Sequence, residues 1–431
     1  MPLPPIGRAG RAFAQWLLLG ALVGVAAGLA SALFLFLLER ATQVRLQHEA
    51  LVWALPLGGL VLGLLQERFG RPVRGGNNLV IDTVHEDSAQ LPLRMAPIAL
   101  VGTVLTHLFG GSAGREGTAV QMGASLADAI AHRFRVSVPT RRELLAAGIA
   151  GGFGSVFGTP IAGVVFGLEV VSVGQVSYHA LLPALVAAVV GDLVTRGVGI
   201  VHTAYPTPAP LPLAPLLLAK WLVFGVAVAA VTVAFVGLTH GLKRLAERHV
   251  PRQPLRMALG GAVLVLLWRG VGTGDYLGLG VPVIVRAFVD PGLVPWAFAL
   301  KLLFTAVTLS VGFLGGEVTP LFFVGACLGN ALAGPLGLPL GLAAGVGMAA
   351  VFGAAANTPL ALSIMAVELL GGAVLPHVVI VTVVAYLLTG QRGIYPAQRI
   401  ARLKHGGPLL GRLVPLRDLR SEDEAPPGRR K

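Results

Sequence analysis

The chain has 431 residues, of which 55% are apolar and only 12% charged, with a formal net charge of +13. A soluble domain carries roughly 25% charged residues, so this composition excludes a soluble fold and points to an integral membrane protein. The single cysteine, Cys327, excludes an intrachain disulfide and a cysteine-based metal cluster.

The first long apolar run, Trp16 to Leu38, exceeds the hydrophobic core of a signal peptide and is not followed by a clean cleavage signal. It predicts a retained span. A spanning helix needs about 20 apolar residues. The runs at 94–110, 118–131, 145–157, 160–173, 321–334 and 359–375 are shorter or broken by glycine. They predict partial or re-entrant helices, which a membrane tolerates only where protein or a water-filled cavity satisfies the freed backbone groups. None alternates as a barrel strand would, so the expected class is an all-α polytopic membrane protein.

Gly75-Gly76-Asn77-Asn78 comes before the first of these runs. Asn77 there is a helix cap or an amide donor. Gly110-Gly-Ser-Ala-Gly-Arg-Glu-Gly-Thr118 then interrupts apolar sequence. A helix starting here aims unpaired N–H groups and its positive dipole end at the break, which makes an anion site. Glu116 is a carboxylate at membrane depth and is functional by default. Gly110-x-Ser112-x-Gly114 also matches a nucleophile elbow, but His107 lacks a partnered acid and the context is helical.

Tyr205 to Pro212 is a Pro-rich linker. Beyond it, Gly315-Gly316-Glu317-Val318-Thr319-Pro320 repeats the logic of the first break, with Pro320 suited to a first helical turn. Glu116 and Glu317 stand 201 positions apart, and Pro160 and Pro359, each in a Thr-Pro segment, stand 199 apart. The chain therefore divides into a first repeat (1–205), a second repeat (206–390) and a basic tail (391–431) with no room for a regulatory domain. The tail ends in an acidic, proline-containing stretch at 421–427 that is expected to be disordered. Broken helices in matching places of two halves point to a transporter's binding site. Tyr395, after the last span, is a phenolic donor or an interfacial tyrosine. His85 reads as a loop or interfacial residue.

The arginines and lysines at 133–142, 243–256 and beyond 392 fit the positive-inside rule. Without interleaved aromatics they do not suggest nucleic acid.

Together these motifs resemble the CLC family of chloride channels and anion/proton antiporters. Gly114-Arg-Glu-Gly-Thr118 is similar to that family's G-(K/R)-E-G-P motif. Gly316-Glu-Val-Thr-Pro320 is similar to G-x-F-x-P, and Gly76-Asn-Asn-Leu-Val80 stands where G-S-G-I-P is found. The departures are Thr118 for proline, Val318 for phenylalanine, Asn77 for the chloride-coordinating serine, and Val170 where proton-coupled chloride exchangers carry an internal glutamate. These resemble the fluoride-exporting branch, which carries Glu and Thr at the positions of Glu317 and Thr319 and a tyrosine like Tyr395. The resemblance implies two inverted repeats meeting at a midplane anion site. It also implies a homodimer in a bacterial inner membrane that exchanges fluoride for protons and needs no cofactor or metal. Glu116 would be the gating and coupling glutamate. Gly114, Arg115, Gly117, Asn77, Glu317, Val318, Thr319 and Tyr395 would line the anion path.

Overall fold

The computed structural model describes residues 6–86, 90–406 and 409–419. Within them the chain forms sixteen α-helices and three short strands. The first half contains α1 (Ile6–Gln47), α2 (Leu55–Phe69), α3 (Asn77–His85), α4 (Met95–Leu108), α5 (Glu116–Arg133), α6 (Val138–Phe157), α7 (Pro160–Glu169), β1 (Ser172–Val173) and α8 (Leu181–Gly197). The second half contains α9 (Pro215–His249), α10 (Gln253–Val271), α11 (Val281–Ala287), α12 (Ala297–Ser310), α13 (Val318–Leu336), α14 (Leu340–Ala355), α15 (Pro359–Leu370) and α16 (Leu375–Leu388). Strands β2 (Arg399–Arg402) and β3 (Leu409–Pro415) follow.

Six helical stretches are long and apolar enough to cross a membrane, the first being Gly10–Gln47. At 1.5 Å per residue, α7 and α15 reach only about 15–18 Å, roughly half of a ~30 Å hydrocarbon core. The runs at 160–173 and 359–375 thus hold helices too short to span, whereas the run at 321–334, expected to be partial, lies in α13 (Val318–Leu336), which is long and apolar enough to cross.

The two halves repeat each other closely. Helices α4 and α12 begin 202 positions apart, as do α5 and α13, and α6 and α14. Helix packing repeats as well. A methyl group on Gly123 would come within 2.2 Å of the Gly148 carbonyl, and one on Gly325 within 2.1 Å of the Gly347 carbonyl. At both places the backbones of two helices touch, the close approach that small residues permit in membranes.

The Thr-Pro segments show the same reciprocity. Glu169, at the end of α7, accepts hydrogen bonds from the N–H groups of Leu360 (3.2 Å) and Ala361 (2.8 Å) in the first turn of α15. Glu368, near the end of α15, accepts from Ile161 (3.0 Å) and Ala162 (2.7 Å) in the first turn of α7. Each carboxylate satisfies orphan N–H groups and complements the dipole of the opposite helix. The sequence reading assigned neither glutamate a role.

The Pro-rich linker packs against the protein. The ring centroid of Tyr205 lies 6.2 Å from that of Phe288. Trp221 donates to His377 Nδ1 at 3.0 Å, which leaves Nε2 as the protonated nitrogen donating to the Leu211 carbonyl at 2.9 Å.

The start of the basic tail packs back onto the helices. Residues 394–398 return to the interior, with Tyr395 only 3% exposed and Gln398 fully buried. Gln398 Nε2 donates to the Val170 and Ala356 carbonyls, both at 2.8 Å, while its Oε1 accepts from Asn357. Further along, β2 pairs parallel with β1 and antiparallel with β3, a small sheet in an otherwise helical molecule. Arg399 and Arg417 both bind Asp82 on α3. The basic composition of 391–431 thus conceals a structured return segment. The acidic stretch at 421–427 lies outside the described residues.

Candidate functional site

Helix α4 runs into the first break and α12 into the second. The two breaks meet. The Gly114 N–H donates to the Gly316 carbonyl at 2.6 Å, and the Gly316 N–H returns a bond to the Gly114 carbonyl at 2.8 Å. Two segments with no helical partners for their backbone groups thereby satisfy each other. Glycine favours this approach, since a methyl group on Gly114 would come within 3.0 Å of both the Gly316 carbonyl oxygen and Pro320 Cδ. Threonines on α4 and α12 brace the joint. Ser112 bonds Thr305 (2.9 Å) through its hydroxyl and Thr308 (3.1 Å) through its N–H, while Thr103 bonds Thr118 at 2.7 Å. The elbow reading of Ser112 ends here, because both His107 ring nitrogens face backbone carbonyls, those of Thr103 and Ala113.

The bridge also corrects the register of the repeat. Gly114 faces Gly316, so equivalent positions lie 202 apart, as the helix starts do, not 201. Arg115, the residue before α5, corresponds to Glu317, the residue before α13. Glu116 corresponds to Val318, so Glu317 is not the counterpart of Glu116.

Glu116 is fully buried. Its carboxylate crosses to the other half and sits at the N-terminus of α13, accepting from the Thr319 N–H at 3.1 Å and from the Thr319 hydroxyl through a short bond. The Arg115 N–H donates to the same carboxylate at 3.1 Å, and Arg115 Nε stands 3.6 Å away. Orphan N–H groups and the positive end of a helix dipole thus hold one negative charge between the halves.

Two cavities approach this point. The larger, cavity A, is about 830 Å³ and is lined by Asn77, Gln121, Lys243, Arg256, Glu317 and Tyr395 among others. The smaller, cavity B, is about 520 Å³ and reaches Arg115. In cavity A, Asn77 Oδ1 and Glu317 Oε2 are buried without a hydrogen-bond partner. The N-cap of α3 is Gly76, and Asn77 is its first residue, so its unpartnered Oδ1 accepts no capping hydrogen bond. Its Nδ2 would lie 2.7 Å from a methyl group on Gly117, and Gly316 Cα would lie 3.1 Å from it. Gly117 therefore keeps open the narrow region between Asn77 and the glycine bridge.

The structure thus brings the expected residues together in two groups. Gly114, Arg115, Glu116 and Thr319 form the seat between the halves. Asn77, Glu317 and Tyr395 line cavity A beneath it. Val318, buried in the first turn of α13, offers no polar side chain. The sequence reading missed the supporting Thr103, Thr305 and Thr308, although Thr103 and Thr305 share the 202-residue spacing. His85 is held by the Val171 carbonyl at 3.0 Å. Among the described residues no group of three or more His, Cys, Asp or Glu side chains could hold a metal.

A family model described as voltage gated chloride channel matches residues 58–390. The chain belongs to the CLC family. Its relatives include a protein of Pseudomonas syringae pv. tomato described as chloride/fluoride channel protein, 47% identical over 92% of this chain and 89% of the other. A putative chloride channel protein, ClcB-like, of Ralstonia nicotianae is 30% identical, covering 72% of this chain and 76% of its own. Among solved structures, a CLC-type fluoride/proton antiporter superposes with a TM-score of 0.87 at 38% identity, covering 90% of this chain and 98% of the other. CLC membership makes the chain an anion transporter or channel built on the CLC fold, and not an enzyme.

Proposed function

We propose that this protein is a homodimeric fluoride/proton antiporter of a bacterial inner membrane, with Glu116 as the group that couples the two ions. The carrying observation is the seat of the Glu116 carboxylate at the N-terminus of α13, where it takes the hydrogen bonds that an anion would take. A carboxylate in that seat competes with fluoride for the same N–H and hydroxyl donors. On protonation it loses its negative charge and with it most of its attraction for the helix terminus, so an anion displaces it. One side chain then links proton uptake to anion passage.

Fluoride is small, strongly hydrated and a strong hydrogen-bond acceptor. Removing its water requires closely spaced polar donors, the hydration-replacement strategy of selectivity filters. The Thr319 hydroxyl, the Asn77 amide and the Tyr395 phenol supply donors on the path from cavity A. Glu317, with an unpartnered carboxylate oxygen between that cavity and the seat, is placed to pass protons toward Glu116. The basic segment 243–256 contributes Lys243 and Arg256 to cavity A, which supports the cytoplasm as that cavity's side. The fluoride-branch names of the 47% relative and of the 38% structural neighbour support the same reading.

The test is fluoride and chloride efflux from proteoliposomes with pH recorded together. Fluoride should move far faster than chloride and should draw protons inward as it leaves. Equal rates for the two halides would overturn the fluoride assignment and leave a CLC chloride/proton exchanger.

A further inference from the structure

Lys301, on α12, is fully buried, a rare state for lysine unless its nitrogen is well partnered. Its Nζ donates to the Tyr276 carbonyl at 3.1 Å and the Gly278 carbonyl at 2.7 Å, and stands 5.4 Å from the ring centroid of Phe323 on α13. Tyr276 and Gly278 belong to the loop between α10 and α11, which contributes Asp275, Leu277 and Leu279 to the wall of cavity B. The same loop reaches the first break, where the Gly278 N–H donates to the Gly111 carbonyl at 3.2 Å. Lys301 thus grips by its carbonyls a loop whose N–H grips the break. Thr305 and Thr308, further along the same face of α12, bond the next residue of the break, Ser112, directly.

The repeat shows which part of this arrangement is particular to one half. At the 202-residue spacing Thr305 and Thr308 match Thr103 and Thr106, and Gly278 matches Gly76. The two glycines share the left-handed region, with φ of +55° and +53°. Lys301 is what differs. Its counterpart is Ala99, whose short side chain lines cavity A. The Gly76 N–H bonds within its own loop, to the Val73 carbonyl at 3.3 Å, where the Gly278 N–H crosses to a break. The loop beside cavity A therefore lacks a lysine anchor, while the loop beside cavity B is fastened to the break that carries Glu116.

We propose that Lys301 is a positioning residue for ion coupling: it clamps the 272–280 loop against the first break and so holds the backbone from which Glu116 reaches its seat. The Arg115 N–H, four residues beyond Gly111, donates to the Glu116 carboxylate, so a loosened break frees the carboxylate as well. Without the clamp the side chain no longer returns reliably to the N-terminus of α13, and an anion passes without waiting for a proton. Lys301 touches neither ion and acts through Gly278 and Gly111. The transport part of this inference rests on the coupling role proposed above for Glu116.

The test is Lys301→Met, which removes both donated bonds and nearly conserves length. Hydrogen exchange read by mass spectrometry should quicken about tenfold in peptides covering 274–280 and 109–116, as for the loss of ordinary hydrogen bonds, and should not change in α14. In proteoliposomes the protons moved per fluoride should fall while fluoride still flows. Wild-type exchange in either peptide overturns the proposal. Faster exchange with a wild-type proton-to-fluoride ratio also overturns it, because Lys301 would then be a structural anchor only. Should Lys301→Met fail to fold, Lys301→Gln, which keeps one donor group on a shorter arm, takes its place and should show both changes to a smaller extent. Failure of the fluoride assignment appears separately, as equal fluoride and chloride flux in wild type, and the ratio is then read against chloride. Failure of the coupling role appears as a wild-type proton ratio in Glu116→Gln.

Discussion

The residue before α5 is Arg115 and the residue before α13 is Glu317. They occupy equivalent positions in two repeated halves, yet one presents a guanidinium to cavity B and the other a carboxylate to cavity A. Each keeps one side-chain atom buried without a partner. One position further on, Glu116 corresponds to Val318, so at the two breaks only one carboxylate of this pair of positions crosses to the other half. Duplication thus supplied two like backbone breaks, and different side chains on them made the two unlike. A symmetric pair of glutamates would have placed two negative charges at one seat, where like charges disfavour joint ionisation.

The largest test of this asymmetry is Glu116→Gln. Glutamine conserves size but cannot ionise, so proton movement should be abolished in pH-recorded efflux while the protein stays folded. Proton uptake at the wild-type ratio would remove Glu116 from the coupling role. Next is Thr319→Val, which deletes the hydroxyl donor and nearly conserves shape. Fluoride flux should fall about tenfold, as for loss of a charge-assisted bond; unchanged flux would mean the seat relies on backbone N–H groups alone. Glu317→Gln should lower the number of protons moved per fluoride more than it lowers fluoride flux. The reverse pattern would make Glu317 part of the anion filter rather than the proton path.

Smaller effects probe the scaffold. Glu169→Gln and Glu368→Gln each replace a carboxyl acceptor at the opposite helix terminus with an amide, costing roughly 1–2 kcal/mol. The two should destabilise to a similar extent in thermal unfolding, because the caps are reciprocal. A large difference would show that the halves do not share the load equally.

The smallest effect concerns the tail. Lys404 Nζ donates to Asn357 Oδ1 and to the Tyr386 carbonyl, and burial pulls its ammonium down to about 7 from an ordinary 10.5. Between those values the unfolded chain binds a proton that the folded chain lacks, so this group's contribution to stability rises with pH and is least favourable below 7. Melting temperature should climb with pH from 7 to 9.5 in wild type and less in Lys404→Met, a difference of about 2 °C. Equal slopes would show that Lys404 does not titrate in this window.

Much of this was legible in the sequence because membranes make interruptions conspicuous. A glycine-rich polar break in apolar sequence has few explanations, so Glu116 and Thr319 could be named before any coordinates. The register could not. Gly315-Gly316 offers two glycines against Gly114, and residue matching chose the one that aligned the glutamates. The backbone chose the other, because the bridge needs Gly316 opposite Gly114 and the helices on either side start 202 apart. Arginine content marked the segment after 391 only as a basic tail, while the residues that bury its start are the few apolar and amide side chains among the charges, Ile394, Ala397 and Gln398. The strands were hidden for a simpler reason. Two to seven residues give too short a pattern to reveal alternation.

The glycine bridge sets a mechanical condition on transport. Its two hydrogen bonds tie the halves together at the depth where ions must pass, so the frame there behaves as a stator. Rocking one half against the other would break both bonds away from water, whereas turning one carboxylate breaks neither. Under the proposed mechanism, the protein would work as a turnstile whose arm is a single side chain.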